Sequence, residues 1–170
     1  GRQAGPAGPQ LAVRAAQAVV AVPCQGLVFY GYGLTAVSQQ GDVTLNGVQA
    51  NYNNLWGASL EGNSVFVTNS QFNNNVSDSN QFIDDTGLII KSHGDQNFVF
   101  LDNVEAKENR LIGATIVADG GVVIWNSTFT GNAGITCTVS WCPVGSEIYH
   151  GYGLSVVTPG IISLDFVNAS

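Results

Sequence analysis

Positive charge is scarce in this sequence. Five of its 170 residues are Lys or Arg, against twelve Asp or Glu, for a formal net charge of −7. Phosphate binding needs a basic stripe, so nucleic acid is excluded as a partner. An anionic membrane surface is excluded on the same ground. No run of about 20 apolar residues occurs, so no membrane span is expected. The longest apolar run near the start, Val19–Pro23, is far too short. Methionine is absent, and Glu/Lys/Leu patterning suited to long helices is almost missing. Val, Ile, Thr, Phe and Tyr carry the apolar positions instead, which predicts an all-β fold. Three cysteines, Cys24, Cys137 and Cys142, are too few for a disulfide scaffold and too scattered for a zinc site. Cys137 and Cys142 share one loop, which suits a local disulfide. Cys24 is then left for a partner on another molecule or as a free thiol.

What the chain does have is an internal repeat. From Gly87 it reads G-L-x-I, a Gly/Asp corner, and then Val99, Leu101, Val104, Ala106 and Asn109. A second turn opens G-A-x-I at Gly113 and continues Val122, Ile124, Asn126, Ser127, Phe129 and Asn132. Both turns occur once upstream, as Val43-Leu45-Val48-Ala50-Asn53 and as Gly57 to Asn75 with Asn69-Ser70-x-Phe72. The first begins again at Gly153 and runs through Ile162, Leu164, Val167 and Ala169. Asn109 follows Asn53 by 56 positions and Asn132 follows Asn75 by 57. Repetition on this scale means a stacked array of one supersecondary unit.

Within each turn, apolar residues alternate with small or polar ones, the period of a strand with one buried face. Gly, Asn and Asp punctuate the strands at Gly41-Asp42, Gly62-Asn63, Gly94-Asp95 and Asp119-Gly120. These residues tolerate left-handed backbone at sharp corners. A turn of about 20 residues leaves no room for a helix, which predicts coils of a parallel β-helix stacked about 4.8 Å apart. Asn53, Asn75, Asn109 and Asn132 would then form an internal asparagine ladder.

On these G-x-x-[IVL] openings, V-x-[LVI] strands, N-S-x-F-x-x-N phrases and repeated asparagines, 33–170 resembles the right-handed parallel β-helix superfamily, the pectate-lyase-like fold. The resemblance implies a single-domain solenoid of about five coils. It implies no one function, since the superfamily holds polysaccharide lyases and hydrolases, tailspikes, adhesins and other surface proteins. The family's lyases pair Ca²⁺ ligands with an Arg or Lys base. On that footing Asp84, Asp85 and Asp95 are the acid candidates, and Ca²⁺ at Asp corners is the one cofactor to consider. Asp42, Asp95 and Asp119 fall just before equivalent strands and would stack. The plainer reading is corner chemistry, with Asp84-Asp85 in a solvated loop and Arg110 at an ordinary corner. No turn concentrates acid and base, which argues against an enzyme. His93 and His150 have no metal-ligand spacing.

Residues 1–23 divide from 24–170. GRQAGPAGPQ reads as a linker. The Ala/Val-rich Leu11–Val22 competes between a capping helix and a strand, and its valines favour strand. Two longer stretches, 76–86 and 133–152, break the repeat after the same kind of turn and are expected to project from one corner. The second holds Trp141, Tyr149 and Tyr152, candidates for glycan contact. Asn75, Asn126 and Asn168 fit the N-glycosylation sequon. The last turn ends mid-coil without a polar cap, and an exposed β-helix end invites another copy. The expected role is therefore structural: a secreted, cell-surface or extracellular subunit that forms a homopolymer. Leu11, Val13, Val19, Val20 and Val22 would join subunits by strand addition, and the cysteines would staple them. The rival expectation is a carbohydrate-active or glycan-binding module, lyase, glycosidase or adhesin.

Overall fold

A computed structural model describes residues 11–14, 33–76, 85–133 and 151–170 of the chain. Among these residues every regular element is a strand. Among the described residues no helix is long and apolar enough to cross a membrane. The strands form two sheets. Sheet A holds β1 (Leu11–Arg14), β3 (Val43–Asn46), β5 (Val65–Gln71), β7 (Phe98–Glu105), β9 (Gly121–Trp125), β10 (Thr128–Phe129), β12 (Ile162–Asp165) and β13 (Asn168–Ala169). Sheet B holds β2 (Leu34–Val37), β4 (Ala58–Gly62), β6 (Thr86–Ser92), β8 (Ile112–Ala118) and β11 (Tyr152–Val157). All pairings are parallel.

From β2 onward the chain alternates between the sheets, with β9–β10 and β12–β13 each forming one visit to sheet A, so each pass adds one level to both. The described residues make five such passes, starting at Leu34, Ala58, Thr86, Ile112 and Tyr152. This all-β, parallel-stranded arrangement is compatible with a solenoid. Leu11–Arg14 adds one more level to sheet A by pairing with β3, Leu11 opposite Val43. That segment is a strand, as its valine content predicts, and it pairs within its own chain. The remainder of the proposed joining segment, with Val19, Val20 and Val22, lies outside the described residues.

Register explains why the alternation in sequence becomes a core. Val43, Val65, Val99 and Val122 stand level with one another across four passes, as do Leu45, Val67, Leu101 and Ile124. From sheet B, Leu60, Ile90 and Ile116 face them. All of these pack into one hydrophobic cluster between the sheets and are almost wholly shielded from water. The residues between them point outward, so a slip of one position would expose the whole row. Burying this continuous stripe is the main stabilising term, at roughly 25 cal/mol per Å² of apolar surface.

Candidate functional site

Four asparagines mark the corner where sheet A hands the chain to the next level of sheet B. Asn53, Asn75, Asn109 and Asn132 are buried there in a single row. The backbone N–H of Asn53 and its Nδ2 both donate to Asn75 Oδ1, at 3.0 and 2.9 Å. Asn75 makes the same pair of bonds to Asn109 Oδ1. Asn109 makes it to Asn132 Oδ1 at 3.0 and 3.1 Å. The side-chain carbonyls of Asn75, Asn109 and Asn132 therefore each accept two bonds from the pass before, and Asn132 Nδ2 closes the row on the Ala106 carbonyl.

A column of glycines packs against this row. A Cβ built on Gly87 would lie 2.6 Å from Asn109 Nδ2 and 2.6 Å from the Gly113 carbonyl oxygen. Gly57 and Gly113 meet Asn75 Nδ2 and Asn132 Nδ2 in the same way, each at 2.7 Å. The G-x-x-[IVL] openings thus answer to a close approach between backbone and ladder. The residue before each ladder asparagine has a left-handed backbone: Tyr52, Asn74, Glu108 and Gly131.

The longer connections leave and rejoin the stack at this corner. Val76 N–H donates to the Asn53 carbonyl and Ala133 N–H to the Asn109 carbonyl. Leu111 N–H donates to the Asp85 carbonyl, and Tyr152 N–H to the Leu111 carbonyl. The flanks of the two insertions are therefore stacked two passes apart. Asp84, Cys24, Cys137, Cys142, Trp141, Tyr149 and His150 lie outside the described residues. Asp85 corrects the expectation of a solvated loop: it is buried, with Oδ2 3.5 Å from Arg110 Nη1. Arg110 is accordingly more than a generic corner residue, because it faces a buried carboxylate that would be costly to leave unpaired.

The other acids are dispersed. Asp42 Oδ1 accepts from Ser64 N–H and Asp119 Oδ2 from Gly94 N–H, so both serve corners. Asp95 is exposed. His93 pairs with Glu61 at 2.9 Å on the surface. Among the described residues no three His, Cys, Asp or Glu side chains come together as a metal site. Tyr152 is exposed at the start of β11.

Two surface features escaped the reading of the sequence. The first is a second amide row at the outer bend of sheet A, where Gly47, Asn69, Asn103, Asn126 and Phe166 all take a left-handed backbone. Asn69 Nδ2 donates to Asn46 Oδ1, Asn103 Nδ2 to Asn69 Oδ1, and Asn126 Nδ2 to Asp102 Oδ1, at 3.0, 3.0 and 2.9 Å. Ser70 and Ser127, next in the repeated phrase, receive the backbone N–H of Val48 and Val104. The second is an aromatic patch on the outer face of sheet A. Phe66 meets Phe98 edge to face with centroids 5.4 Å apart, and Phe100 meets Trp125 likewise at 5.3 Å. Comparison with known protein families, with curated proteins and with solved structures finds no match to this chain.

Proposed function

We propose that this chain is a right-handed parallel β-helix of the pectate-lyase-like superfamily that serves as an extracellular structural subunit, extending by end-to-end stacking of copies. One observation carries the reading. The inward columns that are fully shielded through four passes are open at the fifth: Ile162 is 46% and Leu164 52% exposed, where Val122 and Ile124 are 0% exposed. Phe166 and Ile161 beside them are each 81% exposed. An apolar row of this kind is completed by one more strand level, supplied by a second copy or, on the rival reading, by further coils of a longer repeat protein.

A second copy brings a matching level. Extending the register of sheet A sets the next copy's Leu11–Arg14 over Ile162–Asp165. In that register Leu11, Ala12, Val13 and Arg14 stand level with Ile162, Ser163, Leu164 and Asp165. The opposite charges at the last position fix the register, since a slip separates them.

The test is sedimentation and electron microscopy of the 170-residue chain over a concentration series. Filaments with a subunit repeat of about 24 Å, five strand spacings, are expected. Asp165→Arg should weaken assembly at least about tenfold, and adding Arg14→Asp should restore it. A chain that stays monomeric at high concentration sinks the proposal and leaves the fifth pass to be covered by something other than a copy.

A further inference from the structure

In sheet B, Ala36, Leu60, Ile90 and Ile116 enter the core, so the residues on either side of them face out. These outward residues form two columns over the first four passes. One is Thr35, Ser59, Ile89 and Thr115. The other is Val37, Glu61, Lys91 and Val117. The second column is apolar at both ends and charged in the middle, with one acid beside one base. Val37 and Val117 stand three passes apart, so neither covers the other, and they are 53% and 43% exposed. Glu61 and Lys91 cancel in charge, on a chain whose formal net charge is −7. A second copy can therefore approach this face without like-charge repulsion.

A two-fold axis makes the pattern self-complementary, because it sets the same patch of two copies face to face. Let the axis lie between two facing copies of sheet B, along the strands and level with the gap between β4 and β6. The stacking direction is then reversed in the partner, and each column meets its own counterpart. Glu61 meets Lys91 of the partner subunit, and Lys91 meets the partner's Glu61. Val37 meets the partner's Val117, and Val117 meets the partner's Val37. Thr35 lies against the partner's Thr115, and Ser59 against the partner's Ile89. Two other placements lose this match. An axis level with β6 covers Val157 as well but sets Lys91 against the partner's Lys91. An axis along the stacking direction sets Glu61 against the partner's Ser59 and Lys91 against the partner's Ile89, which covers both charges without an opposite charge across the interface.

We propose that two copies of this chain pair through the outer faces of sheet B, their stacks running in opposite directions, with Glu61 and Lys91 fixing the register. Four passes about 4.8 Å apart and five residues about 3.3 Å apart cover roughly 320 Å² on each copy. A standard interface takes about 800 Å² from each partner, so this pairing is weak and reversible. It uses a different face from the end-to-end contact and does not rest on it.

The experiment is sedimentation equilibrium of the 170-residue chain carrying Asp165→Arg, so that end-to-end stacking does not contribute, at concentrations up to about 1 mM. A monomer–dimer equilibrium that closes at two copies is expected. Adding Glu61→Lys or Lys91→Glu should weaken the dimer about tenfold or more, because each sets like charges together twice across the axis. Mixing these two variants should restore a dimer of one copy of each, since every charge then meets its opposite. Val37→Asp should weaken the dimer about tenfold or more with an unchanged circular dichroism spectrum. The proposal is overturned by a chain that stays monomeric throughout, by a dimer that either charge variant leaves intact, or by a mixture no tighter than its separate components. It is also overturned by a dimer that Trp125→Ala dissolves, which places the contact on sheet A. None of these results bears on end-to-end stacking, which is read with Asp165 in place.

Discussion

The molecule carries two rows of asparagines with the same chemistry and very different consequences. In the inner row, Asn53, Asn75, Asn109 and Asn132 are cut off from water, and the side-chain oxygens of Asn75, Asn109 and Asn132 each receive two bonds from the pass before. In the outer row, Asn69, Asn103 and Asn126 make one amide bond each and stand in solvent. A bond in the outer row competes with water and contributes little net stability, whereas a missing partner in the inner row strands buried donors. The difference teaches that a repeated residue marks the period of the stack wherever it occurs, but holds it together only where water is excluded.

Substitution can break that contrast or sharpen it. Asn109→Ala removes the acceptor for two donors of Asn75 and one side-chain donor to Asn132, while the backbone N–H of residue 109 stays. A loss of about 3–5 kcal/mol is expected in urea unfolding, larger than an ordinary surface change by an order of magnitude. Gly87→Ala attacks the same row from behind, since its Cβ would strike Asn109 Nδ2 and the Gly113 and Phe72 carbonyl oxygens, and backbone cannot yield cheaply. About 2–3 kcal/mol should be lost. Asn69→Gly deletes an outer amide while keeping the left-handed backbone that Asn69 adopts. It should shift stability by no more than about 0.5 kcal/mol. An Asn69→Gly variant as damaged as Asn109→Ala would erase the distinction between the rows.

Much of the inner row was legible in the sequence. The four asparagines recur at fixed places in a repeated phrase, and the structure joins them directly. The apolar columns were legible for the same reason, because alternation with period two and a known register leave little freedom. The glycine openings were seen, but their cause was not: a sequence shows that Gly113 recurs, and only the stack shows an amide against it. The aromatic face was missed because Phe66 and Phe98 are 32 positions apart and Phe100 and Trp125 are 25 apart. Passes of unequal length must be aligned before such rings become neighbours. Asp85 was misread because a pair of acids in a long connection looks solvated until Arg110 is placed opposite it. Leu11–Arg14 followed its valine content, and its partner, β3, was beyond reach of local pattern.

One property of the two rows emerges only when their donors are followed. Inside, three of the four amides give a hydrogen to the pass that comes later in the chain, Asn53 to Asn75, Asn75 to Asn109 and Asn109 to Asn132, and only Asn132 turns back, to the Ala106 carbonyl. Outside, the gift runs backward, from Asn103 to Asn69 and from Asn69 to Asn46. The stack therefore holds two strings of aligned dipoles laid head against tail. Their fields oppose, so lengthening the stack adds little electric moment along its axis, and neither end gathers the partial charge that a single string of amides would build there.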